Sequence, residues 1–187
     1  MSNIKMPLSA LHPDMVQELQ EKYPGAELYI VMPDEAAAMN EGLFWQFIEK
    51  LDWSKEGNDD AVIEPVVRAL TEMSESAILA FYELLSEKLW LLDGRTYAEH
   101  SVPDDEGISS DLFLYARCAV VANGRAFYEE VLQNPAAFPH DLYFEALLNI
   151  AERAWFRKTG RDWDHMPKYI YETGFNPNGW GADTISF

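Results

Sequence analysis

The sequence predicts a mainly α protein. It is an irregular multi-helix bundle with an N-terminal helix plus a short strand and an irregular, aromatic-rich C-terminal strap. Three observations carry that prediction. From Asn40 onward, apolar residues recur at three- and four-residue spacing, which lines one face of a helix. Residues suited to capping stand just before those runs, and Gly or Pro stands just after several of them. Only residues 27–32 (ELYIVM) have the composition of a strand, and no second strand-like run stands ready to pair with them.

The elements follow in order. Pro13 opens a short helix through MVQELQEKY, because its missing N–H has no helical partner at that position, and Pro24–Gly25 stops it. The strand candidate at residues 27–32 lies between Gly25 and Pro33. These pieces make residues 1–40 an appendage to a helical domain at residues 41–187.

Asn40 caps a helix whose Leu43, Phe44, Phe47, Ile48 and Leu51 share a face. An acidic loop, Glu56 to Asp60, leads to a second helix carrying Ile63, Val66, Val67, Leu70 and Met73, with Pro65 tolerated near its first turn. Ser74 caps a longer helix with Ile78, Phe81, Tyr82, Leu85, Leu89 and Leu92 on one side and Glu75, Glu83 and Glu87 opposite. Asp93–Gly94 weakens its end, and residues 99–110 read as a loop.

Residues 111–132 (DLFLYARCAVVANGRAFYEEVL) are apolar on most sides and are expected to be central. Asn123–Gly124 makes a corner, because both residues tolerate left-handed backbone. Residues 125–133 form a short helix with Phe127, Tyr128, Val131 and Leu132 apolar. A last long helix is expected from about Asp141 to Thr159, with Tyr143, Leu147, Ile150, Ala151 and Ala154 on its buried face and Gly160 closing it. The strap, residues 161–187, holds Trp163, Tyr169, Tyr171, Phe175, Trp180 and Phe187, too many aromatics for a disordered tail.

Composition bounds the function. A chain of 187 residues with 48% hydrophobic content is long enough for a sizeable core. The formal charge is −18, which disfavours direct contact with nucleic acid or anionic membrane and permits a basic protein partner. The single cysteine, Cys118, excludes an internal disulfide and suits a reducing cytosol. No stretch reads as a signal peptide or approaches the roughly 20 apolar residues of a membrane span.

Four words in the chain resemble one bacterial family, catalogued as a domain of unknown function, number 4240. They are FWQFIEKLDW (residues 44–53), DLFLYARCAVVANGRAFYEEVL (111–132), FPHDLYFEALLNIAERAW (138–155) and YETGFNPNGW (171–180). The resemblance covers roughly residues 44–180 and implies a mostly helical, intracellular bacterial domain. It carries no activity over to any residue.

Arg117 is the first candidate site residue, since a charge inside an apolar run must be paired or reach water. The residues favour a structural ion pair with Asp93 or Glu152. The functional alternative is an anion site in which Arg117, Arg95, His100, Asn123 and Arg125 line a cleft. The tail aromatics Trp163, Tyr169, Tyr171 and Trp180 either staple the strap to the bundle or form a recognition surface.

His100 with Asp104, Asp105 and Glu106, and Asp162 with Asp164 and His165, are loose acidic clusters without metal-ligand spacing. No nucleophile elbow and no phosphate-binding glycine motif is present. No catalytic residue, metal or cofactor is therefore expected. The sequence favours a non-catalytic protein-interaction or regulatory module in the cytoplasm. Its alternative is a small-molecule-binding or hydrolytic enzyme with a cleft around Arg117, Asn123 and Arg125.

Overall fold

The computed structural model describes residues 13–24, 39–101 and 109–181. The chain divides into two units, residues 1–35 and 36–187. In the first, helix α1 (Pro13–Lys22) ends as the Tyr23 N–H donates to the Leu19 carbonyl at 2.9 Å. The strand candidate at residues 27–32 lies outside the described residues, and among the described residues no strand occurs.

The second unit begins at a cap. Asn40 Oδ1 accepts from the Leu43 N–H at 3.0 Å and starts α2 (Glu41–Ile48), which buries Phe44, Trp45, Phe47 and Ile48. Asn58 Oδ1 accepts from the Ala61 N–H at 3.1 Å and starts α3 (Asp59–Thr71). Pro65 therefore lies inside α3 instead of near its first turn. Burial of Val62, Ile63, Val66, Val67 and Leu70 outweighs the one helical hydrogen bond that the proline removes.

Ser74 Oγ accepts from the Ala77 N–H at 3.2 Å and starts α4 (Glu75–Leu91). This helix is buried on more than one side, for Ser86 and Lys88 join Ile78, Phe81, Leu85 and Leu89 inside. Ser86 satisfies its hydroxyl locally, donating to the Tyr82 carbonyl at 2.7 Å.

Two helix boundaries depart from the sequence reading. Residues 99–101, expected in a loop, belong to α5 (Arg95–Ser101). This short helix is pinned by Ala98, which is wholly buried, and its packing against the rest supplies what so few residues lack in intrinsic helicity. The last long helix does not begin at Asp141. There the backbone has φ of 55°, and the Phe144 N–H donates to the Tyr115 carbonyl at 3.0 Å. The chain instead turns through a 3-10 segment, Glu145–Asn149, into α8 (Ile150–Thr159). Phe144 is buried in consequence, while Tyr143 is exposed. Gly160 closes α8 with φ of 66°, a left-handed conformation that suits glycine.

Between these lie α6 (Ser110–Ala122), capped by Ser109, and α7 (Arg125–Gln133), separated by a corner at Gly124 with φ of 91°. Helix α6 is buried nearly all round, including Arg117 and Cys118. Helix α8 packs against α3 and α4, and α6 packs against α4, α5, α7 and the 3-10 segment. Phe81 of α4 sits at the centre, its ring 5.1 Å from Phe44 and 6.1 Å from Phe47. No described helix is long and apolar enough to cross a membrane.

Candidate functional site

Arg117 is 0% exposed, so its guanidinium must be satisfied from inside. Nη1 donates to the Leu89 carbonyl at 3.0 Å, and Nη2 donates to Thr173 Oγ1 at 2.9 Å. Thr173 in turn donates to the Ser110 carbonyl at 2.7 Å. The Phe113 ring lies beneath the guanidinium, 4.7 Å from Cζ, and among the described residues Nε has no hydrogen-bond partner. Of the two carboxylates expected beside it, Asp93 is the one that pairs, at 3.9 Å, whereas Glu152 is exposed on α8. Burial lowers the Arg117 pKa and the Asp93 charge works against that shift.

Asp93 is also 0% exposed, and it fastens the strap. Its Oδ1 accepts from the Gly174 N–H at 3.1 Å and from Trp180 Nε1 at 2.7 Å, and its Oδ2 accepts from the Asn176 N–H at 2.8 Å. Asn176 donates from Nδ2 to the Trp90 carbonyl at 3.0 Å and caps the one-turn α9 (Pro177–Trp180), accepting from the N–H groups of Asn178 and Gly179. Trp180 then packs edge-on against Phe113. At this point two glycines let two stretches of backbone touch. A Cβ on Gly179 would collide with the Asp93 carbonyl oxygen and lie 2.8 Å from Gly94 Cα.

The rest of the strap is held by side chains. Tyr171 and Tyr82 share a hydroxyl–hydroxyl bond of 3.3 Å, and burial raises the pKa of both. Trp163 meets Tyr82 and Trp155 edge-on, and Tyr169 lies against Trp90 at 5.1 Å. His165 Nε2 is 2.6 Å from Glu83 Oε1, while Glu83 Oε2 accepts from the Lys168 N–H. All four aromatics named from the sequence thus contact the helices.

Of the five candidate cleft residues, Arg117 is buried. Arg95, His100, Asn123 and Arg125 are exposed. Asn123 donates from Nδ2 back to the Ala119 carbonyl, and Arg125 pairs with Glu129 at 2.7 Å. Asn123 also lies about 9 Å further along the helix axis than Arg117, at roughly 1.5 Å of rise per residue. A surface recess of about 560 Å³ lies elsewhere, lined by Asn149, Glu152, Arg153, Phe156 and Arg157. Its two guanidiniums are paired with Asp60 and Glu64.

Asp104, Asp105 and Glu106 lie outside the described residues. Among the described residues no group of three His, Cys, Asp or Glu side chains is placed to hold a metal ion. Sequence reasoning missed two features: that Asp93, named there as a partner for Arg117, also fastens the strap beside Gly94, and that Lys88 is buried. Lys88 is 7% exposed, donates to Glu41 at 2.7 Å and lies 5.8 Å from the Tyr128 ring centre.

Fold and site together define a helical-bundle domain whose C-terminal strap is fastened through a buried aspartate–arginine pair. The family model described as "Protein of unknown function (DUF4240)" matches residues 39–157, and the chain belongs to that family. The resembling word at residues 171–180 lies beyond the matched span. No curated protein and no solved structure matches the chain.

Proposed function

We propose that this domain is a non-catalytic interaction or regulatory module of the bacterial cytoplasm, and that its protein partner presents a basic surface. The observation that carries the reading is the charge: 32 acidic against 14 basic residues. A surplus of that size steers a cationic partner and repels polyanions. The engagement of Arg117 by Leu89, Thr173 and Asp93 supports the reading, because that guanidinium serves packing.

The test uses the intact chain, immobilised and exposed to native cytosol at low and at high salt. A stoichiometric basic protein retained at low salt and released at high salt is the expected result, since screening shortens the reach of surface charge. Absence of any stoichiometric partner at both salt concentrations refutes the reading.

A further inference from the structure

The helices supply most of the fully buried apolar core. Among the described residues the buried cluster runs from Phe44 to Trp155 and takes Trp180 from beyond α8, with the half-buried Trp163 and Tyr171 of the strap packed against it. Between residues 161 and 175, the main-chain-to-main-chain hydrogen bond among the described residues is Phe175 N–H to the Glu172 carbonyl, at 3.3 Å. The strap alternates along its length. Trp163, His165, Tyr169, Tyr171 and Thr173 are half-buried, while Asp164, Met166, Lys168, Ile170 and Glu172 are exposed. A segment whose backbone lacks a ladder and whose alternate side chains are exposed belongs to the part of a protein that opens locally.

We propose that Asp93 and Arg117 form a peptide-recognition site, which the chain fills with its own residues 173–180, and that the strap is a releasable latch closing that site. The chemistry of the pair specifies its ligand class. Asp93 requires two main-chain N–H groups and an indole N–H, supplied here by Gly174, Asn176 and Trp180. Arg117 requires a hydroxyl acceptor, supplied by Thr173. The approach to Gly94 requires a ligand glycine, supplied by Gly179. The ligand is thus an extended peptide ending in a one-turn Asn-x-x-Gly-Trp element. Opening exposes two charges to water, and the solvation they recover offsets part of the bonding they lose.

The test compares the full chain with its Gly179→Ala variant by hydrogen exchange, and titrates each with a labelled synthetic peptide of residues 171–181. In the variant, amides of residues 173–180 are expected to exchange about tenfold faster or more, with α3, α4 and α6 unchanged. The variant binds the native peptide one to one, and the closed parent chain excludes it. A peptide carrying the same glycine-to-alanine change does not bind.

The proposal is overturned if the strap stays protected in the variant. It is equally overturned if the helices lose protection together with the strap, or if the opened site takes up no peptide. Should Gly179→Ala fail to fold, Asn176→Ala removes the α9 cap without a steric clash, and the same readings apply. Failure of both variants to fold makes the strap part of the core and also overturns the proposal.

Discussion

Replacing Asp93 by asparagine is expected to destabilise the domain by about 3 kcal/mol. The two carboxylate oxygens receive three N–H donors, and the whole group is buried. An asparagine in the same place keeps one accepting oxygen. In its better orientation it retains the bonds to Gly174 and Trp180 and turns its own NH2 against the Asn176 N–H. Two facing donors left unsatisfied cost about 1–3 kcal/mol. The Arg117 charge then stays buried without its carboxylate, a situation that costs about 3–5 kcal/mol when a close pair is broken. The 3.9 Å separation and the retained bonds to Leu89 and Thr173 place this case at the lower end.

Thermal unfolding followed by far-ultraviolet circular dichroism measures the effect. At about 2–4 °C per kcal/mol for a chain of this size, Tm should fall by about 6–12 °C. A double-mutant cycle isolates the pair. Asp93→Asn with Arg117→Met leaves no uncompensated charge, so its cost should be smaller than the sum of the two single costs by at least about 1 kcal/mol. The reasoning is refuted if the costs add within about 0.5 kcal/mol, or if Asp93→Asn alone costs less than about 1 kcal/mol.

Three further outcomes are expected. Burial pushes the Cys118 thiol up to about 12, so a disulfide reagent at neutral pH should label the native chain far more slowly than the denatured one; fast native labelling would contradict a buried α6. The hydrogen bond from Lys88 holds the Glu41 pKa below its ordinary value, so the stabilisation is complete above the unfolded pKa and is lost as pH falls through the folded one. Glu41 is about half exposed, so Glu41→Gln should cost about 1 kcal/mol or less at neutral pH, and the difference from the parent should vanish on acidification, with a pH-independent difference counting against it. Phe81→Ala empties the space between Phe44 and Phe47 and should cost about 3–5 kcal/mol in denaturant unfolding, whereas a cost below about 1 kcal/mol would mean that the ring is not in the core.

The helices that read correctly from sequence are those whose causes are local. Asn40, Asn58, Ser74 and Ser109 each accept from the N–H three residues on, and the apolar spacing behind each cap marks the buried face. The misplaced boundaries have distant causes. Helix α8 starts late because Phe144 is tied to Tyr115, nearly thirty residues back, and α5 exists because Ala98 has a core to enter.

The site divides in the same way. By itself the sequence determined that Arg117 stands in an apolar run and must be paired or reach water, that Asp93 or Glu152 is a carboxylate able to pair with it, and that the chain as a whole is strongly acidic. Each of these follows from residue type and near neighbours. Only the tertiary structure decided that Asp93 also gathers Gly174, Asn176 and Trp180, and that Gly94 makes room for Gly179. Those bonds span 81, 83 and 87 residues of chain. No local pattern encodes them, because donor and acceptor lie on segments far apart in the chain that only the packed fold brings together.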